Sequence, residues 1–162
     1  MTQKPFPPSN TWATEPFELV HSDLKMYPVK SYRKYKYSIV FLNDFTSHTW
    51  TINLQTKDAA LPATHHFLAM IETQCKTSVQ AGLSNAGGKY TPMAFTTMMK
   101  EKGITVLQSV PHAHQQNGCA ERLNWTLSDK AESLRIQVCL PPSWWEFTLD
   151  HATHVYNRMP MK

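Results

Sequence analysis

The chain has 162 residues, 41% of them apolar, a formal charge of +4 and a pI near 9.0. That size suits one domain with a single buried core, and no run approaches the roughly 20 apolar residues of a membrane span or the apolar stretch of a signal peptide, so a soluble protein of the nucleus or cytoplasm, neither secreted nor membrane-bound, is expected. Three widely spaced cysteines, Cys75, Cys119 and Cys139, argue for reduced packing residues rather than a disulfide framework or zinc knuckle, and the mild positive charge permits a polyanionic partner without requiring one.

Residues 1–16 carry Pro5, Pro7, Pro8 and Pro16 among polar neighbours and read as an extended arm ahead of a domain over 17–162. The run 17–23 alternates apolar and polar and ends on Asp23, as a strand does when it delivers an acid to its edge. Residues 35–45 form the next strand, preceded by a basic turn with Lys30, Arg33, Lys34 and Lys36, and 49–54 complete a three-stranded meander. Over 57–75 the apolar period becomes helical through Leu61, Phe67, Leu68, Ile71 and Cys75, with Asp58 as a favourable first-turn charge.

A short segment over 78–84 and a turn over 85–88 lead to a second helix, 93–102, which Gly103 ends. Residues 104–107 make a fifth strand. Beyond the loop over 111–118, Leu123, Leu127, Ala131, Leu134 and Val138 describe a long amphipathic helix that Pro141-Pro142 breaks. Ser143 then caps a fourth helix carrying Trp144, Trp145, Phe147 and Leu149. This order predicts an α/β layer whose five-stranded mixed sheet is flanked by helices on both faces.

Three strings go further: His21-Ser22-Asp23-Leu24, the turn Asn85-Ala86-Gly87-Gly88-Lys89-Tyr90, and the run from Val110 through Gln115-Gln116-Asn117-Gly118 to Glu121-Arg122-Leu123-Asn124. In this order they resemble the catalytic core of copia-type retrotransposon integrases, with its His-Ser/Thr-Asp entry, Asp-Asn-Gly-Gly-Glu-Tyr turn and Pro-Gln-Gln-Asn-Gly-x-Ala-Glu-Arg run. The family's interval of 35 residues also separates Asn85 from Glu121. The strings Leu140-Pro141-Pro142-Ser143-Trp144-Trp145 and Val155-Tyr156-Asn157-Arg158-Met159-Pro160 resemble its closing helical segment. The resemblance covers 17–162 and implies a ribonuclease H-like fold. The stretch reads as a core without the His/Cys zinc-binding domain and basic extension that flank it in the family.

The resemblance implies a polynucleotidyl transferase that joins DNA ends into target DNA with Mg²⁺ or Mn²⁺ held between three carboxylates. Carried over by motif, the catalytic positions are Asp23, Asn85 and Glu121, with Asp23 and Glu121 as the surviving metal ligands. Gly87, Gly88, Gln115, Gln116 and Asn117, with Arg122 and Lys130 read as flanking Glu121, are the implied nucleic-acid contacts. The partners implied are element and target DNA, with RNA a further candidate, and a second copy of the chain.

Asparagine at position 85 keeps a carbonyl oxygen but brings no charge. A unit charge about 4 Å from a divalent ion is worth roughly 8 kcal/mol at an effective dielectric near 20. If about 4 kcal/mol of that is realised in the transition state, the rate falls roughly a thousandfold. Lys89 replaces the family's turn acid, Ala86 its Asn, Lys25-Met26-Tyr27-Pro28 its Gly-Pro turn, and Asn43-Asp44 its acid pair. The sequence therefore predicts an integrase core that is weak or inactive as an enzyme, a pseudoenzyme by descent.

Each feature also has a plainer reading. Asp23 alone is an ordinary strand-end acid, Glu121 a solvated helix face, Gly87-Gly88 a flexible turn, and the basic residues at 30–36 a wet strand face. The competing functional reading is a non-catalytic nucleic-acid-binding or dimerisation module; a folding-impaired relic is a third. His65-His66, His112-x-His114 and His151-x-x-His154 lack the further ligands of a zinc site.

Overall fold

The computed structural model describes residues 13–84, 92–108 and 118–159, with the side chains of 83, 84, 92, 93 and 108 outside the description. Five strands, β1 (Leu19–Met26), β2 (Tyr37–Asn43), β3 (Thr49–Leu54), β4 (Ala81–Ser84) and β5 (Thr105–Gln108), make one sheet in the order β3-β2-β1-β4-β5. β1 runs antiparallel to β2 and parallel to β4; β2 and β3 are antiparallel, and β4 and β5 parallel. The antiparallel strands are joined without helices, β2 to β3 by a short turn and β1 to β2 by the longer stretch 27–36, whereas the parallel pairs need crossovers, supplied by the helices α1 (Ala60–Met70) and α2 (Pro92–Glu101).

Strand alternation divides the molecule into two cores. Val20 of β1, Ile39 and Phe41 of β2 and Leu54 of β3 pack on Ala60, Ala63, Phe67 and Leu68 of α1, with Met99 of α2 closing the same layer. Phe67 stacks on Phe41 with ring centroids 4.1 Å apart. On the other face Val40 and Leu42 meet Leu123, Leu127 and Ala131 of α3 (Gly118–Gln137) and Trp145, Leu149 and Ala152 of α4 (Trp145–Tyr156). At Gly82 of β4 the Met99 terminal methyl lies 2.5 Å from where a Cβ would stand, so a side chain there would oblige Met99 to move. Gly103, with φ +70°, ends α2 while its amide bonds the Lys100 carbonyl.

The elements match the sequence reading in number, type and order, with local corrections. The predicted first strand begins two residues later, because Phe17 sits at φ 65° and turns the chain onto Trp50, 5.9 Å away. Residues 13–16 are not extended as the arm was read to be: the Glu18 carboxylate accepts hydrogen bonds from the amides of Thr14 and Glu15 and the Thr14 hydroxyl, curling the chain into a turn. Residues 1–12 lie outside the described residues. The single helix read over 57–75 is a 3₁₀ turn (Lys57–Ala59), then α1, then a π-helical stretch (Ile71–Cys75) that stops at Lys76 with φ 52°.

Ser143 is not a helix cap. It lies inside a 3₁₀ turn (Pro142–Trp144), and α4 begins behind Trp144 with no side-chain cap hydrogen bond. Cys75 and Cys139 are exposed, and only Cys119 is partly packed, so two of the three cysteines fill no core.

What holds α4 is the long connection between β1 and β2. Trp145 stacks on Tyr27 at 3.7 Å, nearly parallel, and its indole N–H donates to the Val29 carbonyl at 2.9 Å. Glu146, only 1% exposed, accepts from the Ser31 hydroxyl at 2.8 Å and the Arg33 amide at 3.2 Å. The Tyr32 amide donates to the Ser143 carbonyl at 2.6 Å. A buried carboxylate with donors on both oxygens is tolerable where an unpaired one is not. Trp145→Ala removes the stack, the hydrogen bond and a core side chain together, and should lower the unfolding free energy in urea by about 3–5 kcal/mol; a loss below about 1 kcal/mol would mean that the connection is held some other way.

Candidate active site

Asp23 stands mid-way along β1, half-buried, on the face that α3 crosses. Odd-numbered side chains of β1 all point there. His21, Asp23 and Lys25 therefore form one row beneath α3, while Val20 and Leu24 enter the opposite core. From α3, Asn124 is 3% exposed and its amide nitrogen donates to Asp23 Oδ2 at 2.7 Å. Glu121 precedes Asn124 by three residues, so it stands one turn nearer the start of the helix on the same face, half-buried. The first and third of the sequence-predicted acids thus stand on a strand and on the helix that packs across it.

The other predicted residues divide. Asn85, Gly87, Gly88, Gln115, Gln116 and Asn117 lie outside the described residues, as do Ala86 and Lys89. Arg122 is exposed beside Glu121. Lys130, read as flanking Glu121, does not do so: nine residues on, it is about 13 Å along the helix and on its opposite side. Its amine reaches the Met159 sulfur at 3.2 Å and lies 5.8 Å from the Tyr156 ring. Among the described residues no group of three His, Cys, Asp or Glu side chains could hold a metal.

A cation also sits at this site. Lys25, two residues beyond Asp23 on the same face, donates to the Ser128 hydroxyl at 2.5 Å and lies 5.3 Å from the Trp125 ring and 5.6 Å from the Tyr27 ring. Burial holds its amine below the ordinary lysine value, while the carboxylates of Asp129 and Asp23 pull it part of the way back. With Lys25 and Met26 where the family has its Gly-Pro turn, β1 runs on to Met26 and a positive charge is fixed about 7 Å along the strand from Asp23.

Two features of the site were not foreseen. Asn124 was legible in principle, since three residues after Glu121 on a helix must share its face. The second is the pair His21 and Asp44, with the imidazole Nε2 2.8 Å from Oδ1 and both side chains buried. Asp44 Oδ2 accepts the Ala13 amide at 2.8 Å, and the neighbouring Asn43 Oδ1 accepts the Phe45 amide at 3.2 Å. Far from loosening the site, Asn43-Asp44 ties the end of β2 to the start of β1. Burial pushes the nearby Cys119 thiol up, Asp44 adding to the rise and Arg122 opposing it.

A five-stranded mixed sheet with the order β3-β2-β1-β4-β5, flanked by helices, is a ribonuclease H-like fold, and here it bears an acid on its central strand and a second on the helix across it. The simian T-cell lymphotropic virus intasome, solved in complex with the PP2A regulatory subunit B56 gamma, matches over 94% of this chain and 52% of that one, with a TM-score of 0.74 and 15% identity. The catalytic core domain of HTLV-2 integrase, solved with magnesium in a dimeric form, matches over 91% of this chain and 90% of that one, with a TM-score of 0.64 and 14% identity. At those identities the likeness is one of fold. No family model matches the chain.

Sequence relatives are nearer. The chain is 31% identical over 144 residues, 88% of its length, to the retrovirus-related Pol polyprotein from transposon TNT 1-94 of Nicotiana tabacum. It is 28% identical over 156 residues, 96% of its length, to that from transposon RE1 of Arabidopsis thaliana. To the transposon Ty1-NL2 Gag-Pol polyprotein of Saccharomyces cerevisiae it is 29% identical over 149 residues, 90% of its length. The sequence relatives are thus retrovirus-related Pol polyproteins from copia-type transposons, and the solved structures that share the fold are retroviral integrase cores. The chain spans 8–11% of the length of these sequence relatives.

If Asn124 fixes Asp23, Asn124→Ala should cost about 1.5–3 kcal/mol in urea unfolding at neutral pH, the range for a hydrogen bond to a charged group. A change within about 0.5 kcal/mol of the parent would show that the bond contributes nothing to holding the strand and helix together.

Proposed function

We propose that this chain is the catalytic-core part of a retrotransposon integrase, built for metal-dependent strand transfer of element DNA ends into target DNA and impaired in that chemistry by Asn85. The observation that carries the reading is the bond from Asn124 to Asp23, which sets two acids of the implied triad on facing elements. The donor set suits a hard cation. Asp23 and Glu121 offer carboxylate oxygens, and the Asn124 amide oxygen, buried beside them, has no hydrogen-bond partner among the described residues. When bound, a pair of Mg²⁺ or Mn²⁺ ions activates water or a DNA 3′-hydroxyl and stabilises the leaving oxygen.

The chain's own part is positional and electrostatic. β1 holds Asp23 through its pairing with Val40 of β2, the ladder to β4 ending beside it at Ser22, and α3 delivers Glu121 from its first turn. Asn85 stands where the family has the second acid, so the charge that would gather a cation falls by one. Lys25 works in the same direction, placing a positive charge in the row that contains Asp23. DNA would run over the acid pair, with Arg122 beside Glu121 meeting phosphate and Gly87, Gly88, Gln115, Gln116 and Asn117 lining its path by family analogy. A second copy of the chain as partner fits the dimeric form of the solved integrase core.

The second reading, a nucleic-acid-binding or dimerisation module without catalysis, is favoured by Lys25, since a fixed cation suits a phosphate better than it suits a metal. Strand transfer and disintegration assays with Mn²⁺ separate the two. The Asn85→Asp chain should join DNA roughly a thousandfold faster than the parent, and adding Asp23→Ala should return it to background. Should Asn85→Asp fold, bind DNA and still join none, the binding module becomes the better account.

A further inference from the structure

Away from the acid pair the molecule exposes aromatic rings that its cores do not need. Trp144 and Trp145 are consecutive, yet Trp145 is 6% exposed on the Tyr27 stack while Trp144 is 36% exposed. Tyr32, 63% exposed, lies 5.8 Å from Trp144 and 6.4 Å from Phe147, and those two rings are 5.1 Å apart. The Arg33 guanidinium sits 5.0 Å from the Phe147 ring centre. Lys30 and Lys34 are exposed in the same connection between β1 and β2.

The charge there is predominantly positive. Glu146 is buried and already accepts from Ser31 and the Arg33 amide, and Asp150, within the field of Arg33, accepts from the Asn53 amide at 3.1 Å. The ridge is also pre-organised, because the hydrogen bonds from Tyr32 to Ser143, Arg33 to Glu146 and Trp145 to Val29 fix its backbone before anything binds.

We propose that the ridge of Tyr32, Trp144 and Phe147, rimmed by Lys30, Arg33 and Lys34, is a binding site for single-stranded nucleic acid, distinct from the acid pair. Exposed rings offer flat faces on which unstacked bases lie, and cations at their edge meet the phosphates between them. A duplex hides its base faces, so the rings would gain little from it. The ridge lies beyond the end of β1, about 10 Å or more along the strand from Asp23, and its use does not depend on strand transfer.

The test is fluorescence anisotropy in EDTA, with labelled oligothymidine, oligouridine and a DNA duplex of the same length, alongside thermal melts of every variant. The parent should bind single strands more tightly than duplex. Tyr32→Ala and Trp144→Ala should each weaken that binding at least about 5-fold, and Tyr32→Phe, which keeps the ring, should not. Lys30→Gln with Lys34→Gln should flatten the slope of log affinity against log salt by about 1.4. Preference for oligothymidine or for oligouridine assigns the strand as DNA or RNA. The proposal is overturned if the parent prefers duplex or binds neither single strand, or if folded Tyr32→Ala binds as the parent does.

Discussion

Asp23 is both accessible and fixed because α3 lies across the odd-numbered face of β1, with Asn124 donating to its carboxylate and Ser128 accepting from Lys25 one helical turn further on. The two contacts set the register between strand and helix, and the register decides what else can meet. Glu121 is carried to the same edge because it precedes Asn124 by one turn. Leu123, Leu127 and Ala131 are carried down onto Val40 and Leu42. A rotation of α3 by a single residue, about 100°, would bury Glu121 or Arg122 against the sheet and expose Leu127, so apolar packing and the polar contacts enforce one arrangement. The site is a by-product of how the second core closes.

Charge at that edge is less coherent than its geometry. Asp23, Glu121 and Asp129 supply negative charge to the face of α3, and Lys25 answers them from within the row. A half-buried ammonium so placed stabilises neighbouring carboxylates as they stand, by the same attraction that a metal would otherwise supply. That makes the acid pair tolerable without a cation, a property a binding surface can use and a metal enzyme cannot. On the proposed reading, the charge missing at position 85 and the charge added at position 25 would both weaken the hold on a cation, although they lie on different segments.

Much of this was legible in the sequence. A period-two run marked β1, β-branched and aromatic content marked β2, and helical spacing marked α1 and α3, because an element's burial on one face or on both leaves its trace in the apolar pattern. What was not legible came from tertiary contact. Nothing local announces that Trp145 turns inward to Tyr27 while Trp144 stays out, or that Ser143 sits in a 3₁₀ turn while Glu146 reaches Ser31 from 115 residues away. Asp23 and Glu121 were found through motif context, since each alone looks like a surface acid; Asn124 and the pairing of His21 with Asp44 were missed because a side-chain hydrogen bond across 101 or 23 residues leaves no periodic trace. Lys130 was misplaced because proximity in sequence to Glu121 was taken for proximity on the helix face.

The positions at which the chain departs from the family pattern have one feature in common. Among those described, Lys25 is half-buried near the end of the central strand with its amine bonded, and the Asn43 amide oxygen and Asp44 carboxylate have hydrogen-bonded partners. None interrupts either apolar cluster, whose members Phe41, Phe67, Leu127 and Leu149 are at most 2% exposed. The buried carboxylate of Glu146 keeps donors on both oxygens, and Asn157 still exchanges two hydrogen bonds with the Thr49 backbone. A chain decaying without constraint would lose apolar volume and buried polar partners as readily as carboxylates, since most substitutions that unfold a protein act there. At the described departures the apolar packing is intact, so what separates them from the family pattern is charge and hydrogen bonding rather than core volume.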